Sequence, residues 1–359
     1  MKRLSVLLLC LTIGAASFAQ ENEHSFLVVP RLEANPYIGG DQTFDLGNSS
    51  LYTLFEGELG EHFSYSVMNH WLSSDPGALY ANTLRSDDSN WLDWAYLTAY
   101  VGNFDISLGK QVIMLGGLEQ DDYDYDVCFT QGSTVLNNLH TYNWGLSLGY
   151  TNDEENTYLA AQVTTSPFGE YNNSGLFSYS LFWSGEYEFF NPLWSVNVMD
   201  CYDNFSPDSK SQIYNFSLGN LFSFDDVEFY IDWMARSYSP KHILTEEMSF
   251  IGAIKYYIND QFDVMLKGGW EFNRSGKDVF GYIEEDEFGL PDLSSFVPTS
   301  LALLDKDYLF GGLLLNYYPL EDSQDLRLHA ALAANNFSNS FSVSLGATYY
   351  LDLFDLLQQ

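Results

Sequence analysis

A rhythm, more than any single motif, limits what this chain can fold into. Sixteen times between residues 25 and 354 it runs for about ten residues with large apolar side chains alternating against small or polar ones. The segments lie at about 25–38, 50–60, 62–73, 91–102, 104–115, 141–152, 156–166, 175–189, 191–203, 210–223, 226–238, 246–258, 261–274, 306–319, 325–337 and 340–354. In SFSVSLGATYYLDLF, Phe341, Val343, Leu345, Ala347, Tyr349 and Leu351 share one side, and Ser342, Ser344, Gly346 and Thr348 the other. Successive side chains of a strand point to opposite faces. A soluble core would gather the large residues inside and leave the polar ones in water. The arrangement of many large residues against many small and polar ones fits a barrel with lipid outside and water within.

The connections keep the same order. Even-numbered ones are short and turn-like, at Glu61-His62, Asn103, Asn191-Pro192, Asp225-Asp226 and Asn259-Asp260, whereas odd ones are mostly longer, including 74–90, 116–140 and 275–305. Two rims, one of short turns and one of long loops, follow from that alternation. The fold class expected is therefore all-β, a transmembrane antiparallel β-barrel of about sixteen strands, with fourteen or eighteen the neighbouring counts. Aromatic residues make up 17% of the chain and gather near segment ends, as with Trp91, Trp94, Tyr100, Tyr256, Tyr257, Tyr317 and Tyr318, where an interfacial girdle would lie. Past the first residues no stretch approaches the roughly 20 apolar residues of a membrane helix.

The opening MKRLSVLLLCLTIGAASFAQ has two cations, an apolar run and a small-residue end, the pattern of a secretory signal over residues 1–19 cut after Ala19. Residues 20–359 then form one exported domain. Cys10 belongs to the signal, which leaves Cys128 and Cys201.

Fourteen Lys and Arg face 49 Asp and Glu, a net charge of −35, which excludes nucleic acid as a partner because phosphate contacts need cations. Such a chain attracts cations or stays dispersed by self-repulsion. Alternation turns Arg31, Arg236, Lys255, Lys267 and Arg327 inward, together with Glu33, Glu56, Glu58, Glu228, Asp232, Asp263, Glu271 and His329. Five carboxylates crowd GLEQDDYDYDVCFTQG in the connection between segments five and six: Glu119, Asp121, Asp122, Asp124 and Asp126.

On that architecture and that loop the chain resembles the bacterial outer-membrane porins. The resemblance implies a loop near 116–140 folded into the pore as its narrowest point, carboxylates on one side and a basic wall on the other. The wall would be Arg31, Arg236, Lys255, Lys267 and Arg327. ISLGKQVIMLGGLEQ, residues 106–120, is similar to the strand-then-loop passage of the phosphate-selective porins, but a chain with 14 Lys plus Arg lacks their cationic ladder, so phosphate preference is not implied. The expected function is passive diffusion of small hydrophilic solutes across the bacterial outer membrane, with cation preference from the acidic constriction. Expected partners are outer-membrane lipid and lipopolysaccharide, small solutes or cations, and further copies of the chain in a homotrimer.

Other readings stay open. Asp122, Asp124 and Asp126 alternate in a way that suits calcium, although the glycine and glutamate of an EF-hand loop are replaced by Val127 and Ser133. The run 284–287 is an acidic loop tip. Cys128 and Cys201 form a disulfide pinning the loop, or remain free. His70, near Ser73 and Ser74, points inward without a catalytic spacing, and no nucleophile elbow, phosphate-binding loop or zinc spacing occurs; no enzyme and no cofactor are expected. A barrel for one apolar or sugar-like ligand, and a secreted soluble β-protein that binds glycan, are the alternatives.

Overall fold

The structure, a computed structural model, describes residues 24–34, 37–38, 49–73, 91–121, 126–129, 132–139, 141–168, 175–203, 206–276, 282–285, 291–297, 306–320, 323–337 and 341–354. The signal expected over 1–19 lies outside them, as do Asp122 and Asp124 and the whole 74–90 connection.

Sixteen strands make the ring: β1 (His24–Ala34), β2 (Ser50–Glu58), β3 (Phe63–Ser73), β4 (Leu92–Val101), β5 (Phe104–Val112), β6 (Tyr142–Thr151), β7 (Thr157–Thr165), β8 (Phe177–Gly185), β9 (Phe190–Asp203), β10 (Ser206–Phe224), β11 (Val227–Ser237), β12 (Glu247–Asn259), β13 (Phe262–Asn273), β14 (Tyr308–Tyr317), β15 (Leu326–Asn335) and β16 (Phe341–Tyr349). Two-residue pieces, Tyr37–Ile38 and Leu351–Asp352, continue the pairing at the seam. Every neighbour pairs antiparallel, and the ring closes where β1 meets β16, Arg31 opposite Thr348 and Glu33 opposite Gly346. Closure removes the free edges, so each backbone amide in the hydrocarbon layer has a partner. A separate two-stranded ribbon, Tyr282–Glu285 with Pro291–Val297, lies in the connection between β13 and β14.

The strand count and order agree with the alternation read from the sequence. β7 shows why: Leu159 and Val163 are 48% and 43% exposed while Tyr158 and Gln162, their chain neighbours, are 8% and 2% exposed. The exposed set continues around the ring through Leu181, Ile231, Leu266, Leu313, Leu332 and Leu345. A continuous apolar outer belt with a polar interior is the surface of a barrel that spans a membrane. On the belt near one rim, Trp233, Phe250 and Trp270 stand on adjacent strands with ring centroids 6.3 and 5.5 Å apart. Paired aromatic surfaces of this kind suit the boundary between hydrocarbon and water.

The interior is divided. From β5 to β10 the buried polar residues are, Asp105 and Lys110 on β5 apart, uncharged: Ser107, Gln111, Asn143, Ser147, Gln162, Ser180, Ser195, Asn197, Asn215 and Ser217. From β11 round to β1 many are charged, among them Asp232, Arg236, Glu247, Asp263, Lys267, Glu271, Arg327, His329, Arg31 and Glu33.

Candidate functional site

The chain between β5 and β6 lies inside the ring, and its amino acids explain how. It starts with a near-continuous apolar run, IMLGGL, that has no lipid to face; Leu115 packs with Val135, Leu139, Met199, Met234 and Ile251, and Leu118 with Tyr158, Phe182 and Leu193. Burial of such side chains is worth about 1.5–3 kcal/mol each, so the loop carries its own reason to stay indoors. Gly116 permits the close approach, because a Cβ there would fall 2.6 Å from the Leu193 carbonyl oxygen. Gly312 does the same on the far side, where a Cβ would meet the Phe129 ring at 2.6 Å.

On the uncharged wall the first limb is held through its backbone. Met114 N–H donates to the Gln162 side chain (2.9 Å), the Asn197 amide donates to the Met114 carbonyl (2.8 Å), and Gly116 N–H donates to Ser195 Oγ (2.8 Å). A single 3₁₀ turn, Leu118–Gln120, follows. Asp232 reaches from β11 and accepts the N–H groups of Leu118 (2.9 Å) and Glu119 (2.8 Å).

From there the loop meets the charged wall. Lys267 Nζ lies 2.5 Å from Glu119 Oε1, both side chains buried, and the same oxygen accepts the Ser133 N–H at 3.2 Å. A short helix, α1 (Thr134–Asn138), is capped by Ser133, whose hydroxyl accepts the Leu136 N–H. Its first residue donates through backbone (3.1 Å) and hydroxyl (2.7 Å) to the Glu271 carboxylate, which Ser249 also binds at 2.5 Å. Arg327 Nη1 is 3.0 Å from Asp126, with Tyr350 donating to the same carboxylate oxygen. Arg31 donates to the Val127 carbonyl at 2.8 Å and is ion-paired with Glu33, which His329 approaches at 3.3 Å.

The residues expected at the constriction are thus placed as follows. Glu119 and Asp126 touch wall cations directly, where the resemblance implied acids and bases facing one another across a gap; these two charges hold the loop against the wall. Asp121 ends the 3₁₀ turn and lines a recess described below, and Asp122 and Asp124 are outside the described residues. Of the five wall cations, Lys267, Arg327 and Arg31 hold the loop. Arg236 binds Glu247 at 3.1 Å and stands 4.0 Å from Glu271, so it acts one carboxylate removed from α1. Lys255 pairs with Asp263 at 3.6 Å near the short-turn rim. Of the calcium trio only Asp126 is among the described residues, and within those no group of three or more metal-ligating side chains occurs.

The alternative of a disulfide is corrected: Cys128 and Cys201 are both buried and no disulfide joins them. Cys201 packs with Ile213 where β9 meets β10, before the loop's crossing, while Cys128 lies after it, with Phe129, Leu314, Ala331 and Ala333 on β14 and β15. Burial pushes the Cys128 thiol up, but Arg327, His329 and Arg31 outweigh it and the net shift is downward.

Several functional contacts carried no assigned role in the sequence. Asp232 and Glu271 were legible as inward carboxylates, yet that they grip backbone amides was not. Lys110, fully buried on β5, was missed; it donates to the Leu92 carbonyl beside an Asp93–His70 pair at 2.6 Å. Its signal was present, a lone lysine in an alternating segment, but the alternation that turns Ser107 and Gln111 inward assigns Lys110 to the other face, and its burial is seen only in the fold.

Comparison with known proteins bears on the fold. No family model matches this sequence. No curated protein matches it either. Among solved structures, OmpT of Vibrio cholerae in its trimer form superposes with a TM-score of 0.58 at 12% identity, over 92% of this chain and 99% of that one. The outer-membrane channel DcaP of Acinetobacter baumannii gives 0.58 at 13% identity, over 92% and 97%. A porin structure gives 0.54 at 12% identity, over 92% and 100%. At such identities the likeness is one of architecture, and on that ground, joined to the closed ring and its apolar belt, the chain has the sixteen-stranded barrel fold of the outer-membrane porins.

Proposed function

We propose that the protein is a bacterial outer-membrane channel for passive diffusion of small hydrophilic solutes, with the loop between β5 and β6 setting its narrowest passage. The observation that carries this is that loop itself, held within the ring by Glu119 on Lys267, Asp126 on Arg327, and Asp232 on two backbone amides. A chain segment held inside a polar lumen narrows it, and no catalytic step is needed for solutes to pass. The apolar belt argues against the soluble glycan-binding alternative, since such a surface in water invites aggregation.

Cation preference belongs to the same proposal. Glu119 and Asp126 are neutralised by their partners, so the preference rests on other carboxylates. Glu56 accepts from Ser66 at 2.6 Å, Asp105 from Tyr158 at 3.3 Å and Glu228 from Tyr257 at 2.8 Å. A neutral hydrogen-bond donor does not compensate a carboxylate's charge, so these groups, where ionised, would concentrate cations along the lumen. Assembly as a homotrimer, the form named for V. cholerae OmpT, completes the proposal.

Planar-bilayer recording across a KCl gradient tests it. The expected reversal potential has the sign of K⁺ preference, and Glu56→Gln with Glu228→Gln moves it toward zero. An electrically silent barrel would overturn the channel, and an unmoved potential the assignment of its selectivity.

A further inference from the structure

The loop's first limb does not lie flush on the uncharged wall along its whole length. Between residues 113–121 and the inner faces of β4 to β9 there is a recess whose chemistry differs from everything across the lumen. Four aromatic rings line it, Trp94, Tyr96, Tyr158 and Phe182. Its polar lining consists of amides and hydroxyls, and Asp121 is the one charged side chain among its lining residues. Two of the amides are already committed: Gln162 donates to the Val112 carbonyl (2.9 Å) and to Gln111 (3.2 Å), and Gln111 donates to the Gly145 carbonyl (2.9 Å). They are a fixed floor. Gln120 differs, because its Nε2 is buried without a hydrogen-bond partner. A buried donor left unpaired costs free energy, which turning the Gln120 amide to meet an acceptor in the recess recovers.

We propose that this recess is a binding subsite for a neutral polyhydroxylated solute of monosaccharide size. The proposal deepens the channel function and rests on it for the subsite's purpose, though not for its existence. A pyranose ring has an apolar C–H face that packs on aromatic rings, and hydroxyl groups that donate and accept at its edge. Gln120 Nε2 supplies a donor to one hydroxyl oxygen, and Asp121, next in the chain, supplies an acceptor to a neighbouring hydroxyl hydrogen. The lining holds no cation, so an anion entering it would give up water without a counter-charge. Asp121 adds a repulsion to that cost. A purely apolar solute would leave Gln120 unpaired. Affinity is expected to be weak, about millimolar, because a solute that diffuses through must also leave.

Saturation-transfer NMR on the full chain in detergent, with D-glucose as probe and gluconate as the charged comparison, tests the site. Folding of every variant is verified by heat-modifiable gel migration. Saturable transfer to the ring C–H protons of glucose, little or none to gluconate, and binding weakened about five-fold by Gln120→Ala are expected, the loss of one neutral hydrogen bond. Gln120→Glu, which keeps the shape and replaces the donor by an acceptor, weakens binding by a similar factor and serves if the alanine variant does not fold. No saturable transfer to glucose, equal binding of gluconate, or unchanged binding in the folded Gln120 variant would overturn the subsite. KCl conductance of the same protein reports separately on the channel: current without glucose binding sinks the subsite alone, and glucose binding without current sinks the channel alone.

Discussion

The two halves of the inner wall hold one loop by different means. The half from β5 to β10 uses Gln162, Ser195 and Asn197 to meet backbone groups of Met114 and Gly116, contacts indifferent to which side chains the loop carries. The half from β11 to β1 also grips backbone, through Asp232, Glu271 and Arg31, and adds contacts to loop side chains of opposite charge, Lys267 on Glu119 and Arg327 on Asp126. Net worth differs accordingly. A neutral hydrogen bond contributes about 1 kcal/mol, while removing one member of a buried ion pair costs about 3–5 kcal/mol because the other is left charged and dry. The comparison teaches that the uncharged half can give room to solute while the charged half keeps the loop from drifting.

The largest effect that would break this picture is at the charged half. Lys267→Met should weaken docking of the loop by about 3–5 kcal/mol, since Glu119 stays behind in a buried site. Limited proteolysis within residues 113–139 should speed up and single-channel conductance should rise; protection equal to the parent would show that the pair is dispensable. An intermediate effect is expected from Asp232→Ala, which removes the acceptor of two backbone amides and should cost about 2–3 kcal/mol on the same proteolysis assay. Should it match Lys267→Met, the grip on the main chain matters as much as the ion pair. Ser195→Ala, on the uncharged half, removes the acceptor for Gly116 N–H and should cost about 1 kcal/mol. Loop release as complete as for Lys267→Met would erase the distinction between the halves.

Much of this was written in the alternation. Inward and outward residues on β7, β13 or β16 follow from period two alone, because lipid and water demand opposite chemistry on the two faces of one strand. The loop's location was expected from the acids of residues 117–132, but two of them, Glu119 and Asp126, meet their wall cations in direct contact. Reading charge suggested a gap with opposed fields, whereas Leu115, Leu118, Phe129 and Val135, apolar residues in a stretch that would otherwise face water, pull the loop onto the wall and bring Glu119 within 2.5 Å of Lys267. Contacts across the ring join residues far apart in the chain, and no local pattern states which inward side chain on β11 faces which loop amide. Lys110 escaped because the period that turns Ser107 and Gln111 inward assigns it to the opposite face.

Asp232 and Glu271 take hold of main-chain groups, at Leu118, Glu119 and Thr134. A clasp of that kind is blind to the letters it fastens. Descendants of this gene can rewrite Gln120, Asp121 and their successors to admit a different cargo while the same two acids keep the strap buckled, so permeability can evolve without the barrel having to be rebuilt.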